Sequence, residues 1–244
     1  MLYTTLLRQL FRAVYGEPAD QSSQPESPLV LVADGVGGLD LCATGLRHLA
    51  GSTSPALDVR VIAWGHGFGR WHADLTRTDR HEQQAEHVAE LVRAKREKQP
   101  ETPVFLVGKS GGTGIIVKAL ERLDAGSVEA VVLLAPALSP RYDLSRALRS
   151  VRREMVVYWS PMDLFVLGAG TWLFKTIDRR RSVSAGLVGF RLPKGLSDQG
   201  RREYGKLRQV RWRVAMMPTG YFGGHIGPDT PAFLRKYVLP ILHD

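Results

Sequence analysis

The sequence predicts an α/β fold, built on a mostly parallel sheet of about six strands with helices on both faces. Short apolar runs bounded by glycine or proline recur along the chain. Their valine, leucine and isoleucine residues are nearly continuous rather than alternating, which is typical of strands buried on both faces. Helical patterns lie between these runs, and such alternation favours a parallel sheet. The 244 residues, 44% of them hydrophobic, suit one sizeable domain.

The predicted elements alternate along most of the chain. The predicted strands lie at residues 28–35, 59–65, 103–108, 128–136, 154–160 and 211–218. The predicted helices lie at residues 80–98, 113–123, 142–151 and 229–242, the last of them opened by Asp229 just before Pro231. Ligands of such sheets bind beyond the carboxyl ends of the strands, so functional residues are expected in the loops that follow them.

Two segments are predicted to lie outside the regular alternation. Residues 1–27 are predicted to form an amphipathic helix, over residues 1–16, followed by a polar linker rich in proline and serine. We expect this helix to dock on the domain at residues 28–244, with a membrane surface or a protein partner as the alternative. Residues 164–210 are predicted to be a basic insert that begins with the apolar stretch LFVLGAGTWLF.

Charge and cysteine content restrict the partners and the compartment. The net charge is +9, and residues 141–213 hold 17 of the Lys and Arg residues against 6 Asp and Glu. We interpret this excess as a solvated basic face, with an anionic substrate or an acidic membrane surface as the alternative, and expect no nucleic-acid partner. The single cysteine, Cys42, excludes an intramolecular disulfide, which favours a cytoplasmic location. No stretch approaches the roughly 20 apolar residues of a membrane-spanning helix.

Three cofactor or metal motifs are incomplete. Gly-Lys-Ser at 108–110 resembles the end of a phosphate-binding loop, but Pro103 occupies the place of its first glycine. Two glycine-rich stretches fail as dinucleotide motifs because Arg70 and Asp40 replace the last glycine. The stretch HEQQA has Ala85 where a zinc motif needs its second histidine. The sequence therefore predicts no cofactor and no metal.

The stretch Gly108-Lys109-Ser110-Gly111-Gly112 matches G-x-S-x-G between an apolar strand and a helix. In that context a sharp strand-to-helix turn exposes the serine hydroxyl, and the flanking glycines remove side chains that would collide. A serine hydroxyl needs a base to take its proton, so an acid and then a histidine are expected later in the chain. Asp163 follows the fifth predicted strand and His225 follows the sixth. Asp178 is an alternative acid.

With these residues, the chain from residue 28 to about residue 242 resembles a short member of the α/β-hydrolase superfamily. The resemblance implies a sheet that starts at the third strand of the family, with LVLVADGVGG as the oxyanion loop. Asp34 stands where the family has a histidine. The implied oxyanion donors are the backbone N–H groups of Val36 and Gly111. The space between the fourth and fifth strands holds one helix only, where lipase-like members often insert a lid, so an open acyl pocket is expected.

The predicted function is that of a serine hydrolase that cleaves a carboxylic ester or related acyl bond of a small-molecule substrate, with Ser110, Asp163 and His225 as catalytic residues. Acyl transfer to another acceptor would use the same acyl-enzyme. The alternative from another class is an inactive α/β-hydrolase-like protein that binds a lipid or an anionic surface. Two roles for Lys109 stay open: a contact with acidic substrates, or an exposed position without a role.

Overall fold

The computed structural model describes residues 27–38, 40–51, 53–65, 74, 78–164 and 176–243. Its strands are β1 (Leu29–Ala33), β2 (Asp58–Val61), β3 (Val104–Lys109), β4 (Val128–Leu134), β5 (Val151–Trp159) and β6 (Leu207–Arg211). They form one sheet in the order β2-β1-β3-β4-β5-β6, and every neighbouring pair is parallel. The prediction of a parallel sheet of about six strands is therefore confirmed.

The helices alternate with the strands over most of the described chain. They are α1 (Leu41–Ala50), α2 (Thr78–Lys98), α3 (Gly112–Leu120), α4 (Ser145–Arg149), α5 (Ala185–Val188), α6 (Asp198–Tyr204) and α7 (Pro231–Phe233). Helix α7 continues through a π-helical turn, Leu234–Val238, and a 3₁₀ turn, Leu239–Leu242. One helix, α4, connects β4 to β5, as the sequence predicts.

The core has two apolar layers, one on each face of the sheet. Alternate residues of β1 divide between them, since Leu31 packs in one layer and Val32 in the other. Helices α2, α3 and α4 cover the first face. Helix α1 and the C-terminal helical run cover the second face. Burial on both faces explains why the central strands read as continuous apolar runs.

The strand order reverses direction between β1 and β3. From β1 the chain crosses outward to β2, then returns to place β3 on the other side of β1. The loops after β1 and β3 therefore diverge at the carboxyl edge of the sheet, and such a switch point is where parallel sheets open a ligand crevice. The G-x-S-x-G turn follows β3 and the DGVGG loop at residues 34–38 follows β1, so both lie at this crevice.

Several predicted boundaries are wrong. The sixth strand is Leu207–Arg211, and most of the predicted strand at 211–218 is instead the 3₁₀ helix Val214–Thr219. The strand was missed because β6 is an edge strand whose side chains are only partly buried, so it lacks a continuous apolar run. The predicted helix at 142–151 is only Ser145–Arg149, because Val151 already pairs with Val128 in the sheet.

The last predicted helix begins later than expected. Asp229 ends a 3₁₀ turn, Gly227–Asp229, and the helix starts at Pro231. The residue at the N-terminal cap is Thr230, so the interpretation of Asp229 as the helix opener is wrong. Its carboxylate pairs with the side chain of Lys109.

Parts of the predicted flanking segments fall outside the described residues. The N-terminal helix at residues 1–16 does so entirely, as does most of the apolar start of the insert. The described remainder of the 164–210 segment contains α5, α6 and the first residues of β6. Among the described helices, none has the length and apolar character needed to cross a membrane.

Candidate active site

Ser110 lies in a strained turn between β3 and α3. Its φ angle is +49°, in the left-handed region that non-glycine residues seldom adopt. The turn is held from both sides, since the Ser110 N–H donates to the carbonyl of Leu134 at 2.9 Å. The Ser110 carbonyl accepts from the N–H groups of Thr113 at 3.1 Å and Ala137 at 3.2 Å. This is the turn that the G-x-S-x-G spacing predicts.

The glycines around Ser110 permit close backbone approach. A Cβ atom on Gly112 would lie 2.1 Å from the carbonyl oxygen of Ala33 at the end of β1. A Cβ atom on Gly108 would lie 2.8 Å from Cα of Thr113. Both distances are far below van der Waals contact, so the start of α3 packs against β1 and β3 only because these side chains are absent.

The structure brings the predicted serine, histidine and acid into one hydrogen-bonded chain. Nε2 of His225 lies 3.0 Å from Oγ of Ser110, and Nδ1 of His225 lies 2.6 Å from Oδ2 of Asp163. Since an ionised carboxylate only accepts hydrogen bonds, Nδ1 carries the proton and Nε2 is left to accept from the Ser110 hydroxyl. Asp163 is buried just beyond β5, and His225 is half-buried.

The His225 imidazole is kept in its neutral form. Burial lowers its pKa below the ordinary value of 6.5, and the nearby positive charge of Lys109 lowers it further. The hydrogen bond and the charge of Asp163 oppose this shift without reversing it. At neutral pH the imidazole is therefore free to accept a proton, as a general base must be.

Asp178 lies away from this chain of hydrogen bonds. Its Oδ1 accepts from the backbone N–H of Ser139 at 2.9 Å, and its Oδ2 accepts from the Ser139 hydroxyl at 2.6 Å. Both carboxylate oxygens thus tie the segment after residue 176 to the loop that follows β4. Of the two acids that the sequence leaves open, Asp163 is the one that contacts His225.

The loop after β1 is organised by Asp34. Its buried carboxylate accepts from the N–H of Gly35 and from that of Ala43 in α1, each at 2.9 Å. The indole N–H of Trp64 donates to the Asp34 carbonyl at 2.7 Å. Asp34 therefore braces the loop rather than pointing into the crevice, a role that the sequence pattern did not reveal.

The two residues predicted as oxyanion donors lie side by side next to the serine. A Cβ atom on Gly111 would lie 2.8 Å from Cγ1 of Val36, so Val36 packs directly on the turn that carries Ser110. A Cβ atom on Gly35 would lie 3.5 Å from Cβ of Ser110. The neighbouring Gly37 N–H donates to Oδ2 of Asp74 at 2.9 Å, which holds the far side of this loop.

Lys109 is not exposed, so the alternative of an exposed lysine without a role is wrong. Its side chain is only 3% exposed, and its Nζ donates to the backbone carbonyl of His225 at 2.9 Å. Nζ also lies 3.4 Å from Oδ2 of Asp229. Sequence reasoning missed this cluster, because nothing in the local pattern connects Lys109 to residues more than a hundred positions later.

Exposed apolar side chains stand beside the acid and the histidine along the chain. Met162 and Leu164 flank Asp163 in the sequence, Ile226 follows His225 and Phe222 precedes it by three residues, and all four are more than half exposed. The two loops touch, since a Cβ atom on Gly223 would lie 2.9 Å from Sδ of Met162. We call these four side chains the apolar rim. Within the described part of the chain, no His, Cys, Asp and Glu side chains group as a metal site would.

A sequence model of the family described as Hydrolase_4, serine aminopeptidase, S33, matches residues 53–184, more than half of the chain. The chain belongs to the Hydrolase_4 family. It is therefore an α/β hydrolase, as the resemblance predicted, and the sheet order agrees with that fold. The matched range of this Hydrolase_4 chain includes Ser110 and Asp163 and ends before His225. Among curated proteins, no sequence matches it.

Three solved structures that match this chain are at most 16% identical to it. A predicted CIB-like hydrolase from Thermoplasma acidophilum is 14% identical, with a TM-score of 0.43 over 91% of this chain and 89% of its own. The poly(3-hydroxybutyrate) depolymerase LpqC from Bordetella parapertussis is 16% identical, with a TM-score of 0.48 over 88% and 82%. A Trichoderma reesei cutinase, solved with a phosphonate inhibitor, is 15% identical, with a TM-score of 0.39 over 98% and 92%.

Proposed function

We propose that this Hydrolase_4 chain is a serine hydrolase that cleaves a carboxylic ester or related acyl bond of a small molecule through an acyl-enzyme on Ser110. One observation carries the proposal: the continuous hydrogen-bonded chain from Ser110 Oγ through the imidazole of His225 to Oδ2 of Asp163. A serine with a neutral histidine on its hydroxyl and a buried carboxylate behind that histidine is the arrangement that activates an alcohol as a nucleophile.

The first half of the reaction forms the acyl-enzyme. Nε2 of His225 takes the Ser110 proton while Oγ attacks the carbonyl carbon of the substrate. The Asp163 carboxylate stabilises the imidazolium that results, and the N–H groups of Val36 and Gly111 donate to the developing oxyanion. When the tetrahedral intermediate collapses, the bond to the leaving group breaks and His225 returns the proton to it.

The second half of the reaction releases the acid. Water attacks the acyl carbon and gives its proton to Nε2 of His225, and the second intermediate collapses by expelling Ser110 Oγ, which recovers its proton. The three side chains return to their starting protonation states. The mechanism needs no cofactor and no metal. An alcohol in place of water would give acyl transfer by the same steps.

The apolar rim favours a substrate with an uncharged, apolar acyl or alcohol group. Four exposed apolar side chains on the two loops that carry Asp163 and His225 form a surface that water covers unfavourably and an apolar group covers favourably. Burying about 40 Å² of such a group would contribute on the order of 1 kcal/mol. Esters of short to medium alkyl acids are therefore better first substrates than charged ones.

Covalent labelling tests the proposal. We expect a fluorophosphonate probe to add one phosphonyl group to the wild-type chain, and peptide mass spectrometry to place it on Ser110. The Ser110→Ala variant should not react. Ser150→Ala is the matched control, because Ser150 is also buried but donates to Ala147 at the opposite edge of the sheet.

The result also separates the alternative function. If the folded wild-type chain fails to react and hydrolyses no ester, the serine hydrolase proposal is wrong. Liposome binding that depends on residues 1–16 would then support a protein that binds a lipid or an anionic surface.

A further inference from the structure

Lys109 connects three parts of the candidate active site. It is the residue immediately before Ser110, its Nζ donates to the backbone carbonyl of His225, and it forms an ion pair with Asp229. The contacts therefore join the end of β3, the loop that carries His225 and the 3₁₀ turn Gly227–Asp229.

The loop that carries His225 needs such an anchor. Gly223 and Gly224 precede His225 and Gly227 follows it, and Gly223 has a φ angle of +91°. Glycine-rich backbone has more conformational freedom to lose than any other, so a contact that fixes the backbone of His225 restricts more freedom here than it would in a regular element. The hydrogen bond from Lys109 Nζ is accepted by the backbone carbonyl of His225 itself, in the same residue as the imidazole that must reach Ser110.

The buried ion pair between Lys109 and Asp229 contributes little to the stability of the fold. Asp229 is buried, and its Oδ1 has no hydrogen-bond partner among the residues that the structure describes. Burial raises the pKa of Asp229 to about 7, the charge of Asp34 raises it as well, and Lys109 only partly offsets the increase. A buried pair with an unsatisfied oxygen stabilises a fold no better than apolar side chains of similar size. Stability alone therefore does not account for Lys109.

We propose that Lys109 is a positioning residue, which anchors the His225 loop to the nucleophile turn and so keeps Nε2 of His225 in reach of Ser110 Oγ. The inference rests on the proposed hydrolase function. Displacing a reacting group by about 1 Å can cost on the order of a hundredfold in rate. The hydrogen bond from Lys109 Nζ to the backbone carbonyl of His225 opposes such a displacement.

The charge of Lys109 has a second effect on the same histidine. The groups around His225 are the hydroxyl of Ser110, the carboxylate of Asp163 and the ammonium of Lys109, with Asp229 behind the ammonium. The positive charge disfavours protonation of the imidazole and thereby opposes Asp163. Lys109 thus maintains both the place and the neutral form of the base.

The test compares Lys109→Met with a matched control, Lys206→Met. Lys206 also donates from a largely covered side chain to backbone carbonyls, those of Leu148 and Val151, and pairs with Glu203 far from Ser110. With kcat counted per site titrated by a fluorophosphonate, we expect Lys109→Met to lower kcat about 10- to 100-fold and to change KM less than about threefold. Lys206→Met should leave kcat unchanged.

A double variant separates positioning from stability. Lys109→Met alone leaves Asp229 buried and unpaired, whereas Lys109→Met with Asp229→Asn removes both charges and keeps the volume. If Lys109 positions His225, the double variant folds and kcat stays low. If kcat returns to the wild-type value, or if neither variant folds, Lys109 acts on the fold as a whole and the proposal is overturned.

Histidine NMR gives a readout that does not depend on turnover. In Lys109→Met the pKa of His225, assigned by loss of its signal in His225→Gln, should rise above the wild-type value because a neighbouring positive charge is gone. Lys206→Met should not shift it. An unchanged pKa of His225 would contradict the proposed role of Lys109 even if the wild type proves inactive. Failure of that role and failure of the hydrolase proposal are therefore distinguishable.

Discussion

Nδ1 of His225 lies 2.6 Å from Oδ2 of Asp163. The Asp163→Asn variant would present an amide that favours the wrong imidazole tautomer, so we expect kcat to fall about 10³- to 10⁴-fold with the fold intact. Asp178→Asn is the control, because Asp178 contacts Ser139 instead. It should keep kcat near the wild-type value and lower the unfolding temperature. A large loss of kcat in Asp178→Asn but not in Asp163→Asn would reverse the assignment.

Ser110→Ala should abolish ester hydrolysis. We expect the rate on a short-chain p-nitrophenyl ester to fall at least about 10³-fold, because the proposed nucleophile is gone while the imidazole and the proposed oxyanion donors stay in place. Thermal unfolding should change little, since Ser110 is held by its backbone hydrogen bonds. Retention of the wild-type rate by a folded Ser110→Ala chain would be incompatible with the mechanism.

The acidic limb of the pH–rate profile should lie below pH 6.5. Burial and then Lys109 lower the pKa of His225, so activity is present above that lowered pKa and is lost as the pH falls through it. The quantity to measure is kcat/KM on an uncharged ester, because it reports the free enzyme. A limb centred at or above pH 6.5 would show that the imidazole is not held neutral as the structure indicates.

Asp229 should make stability depend on pH. Its pKa is raised from 3.8 to about 7 in the folded chain, so the native state holds a proton that the unfolded state releases. The contribution of Asp229 is therefore most favourable below about pH 4 and is lost as the pH rises towards 7.

Chemical denaturation of wild type and Asp229→Asn measures this contribution. The free energy of unfolding of the wild type, minus that of the variant, should fall by up to about 4 kcal/mol between pH 4 and pH 7. The titration of His225 makes the free energy of unfolding rise with pH, but it does so equally in both proteins, so the subtraction removes it. A difference that is flat or rises over this range would mean that Asp229 stays ionised throughout.

Gly112→Ala should prevent stable folding. The added Cβ would lie 2.1 Å from the carbonyl oxygen of Ala33, and neither backbone can move without breaking the pairing of β1 with β3. Gly224→Ala is the matched control, because its Cβ would meet nothing within 4 Å. Circular dichroism melts should show a native-like transition for Gly224→Ala and none for Gly112→Ala. A cooperative melt of Gly112→Ala near the wild-type temperature would contradict the close approach.

Much of the fold follows from local pattern. The four central strands were predictable because strands covered on both faces must be continuously apolar. The edge strand β6 was not, because only one side of it pairs and its side chains are partly solvated, so the apolar stretch that follows it was taken as the strand instead. The C-terminal helix was placed correctly, but its start was not. The Asp229 carboxylate forms an ion pair with Lys109, and the helix is capped by Thr230 instead.

The sequence by itself determined the α/β order, the G-x-S-x-G turn and the chain order of Ser110, Asp163 and His225, because these depend on spacing and on what each strand end must carry. Only the tertiary structure decided between Asp163 and Asp178, turned Lys109 inward onto the His225 loop and made Asp34 a brace. Each of these outcomes is a contact made across the fold by side chains from separate elements. The packing of the loops at the sheet edge decides which of several polar groups contacts a given partner. A local sequence pattern does not predict that packing.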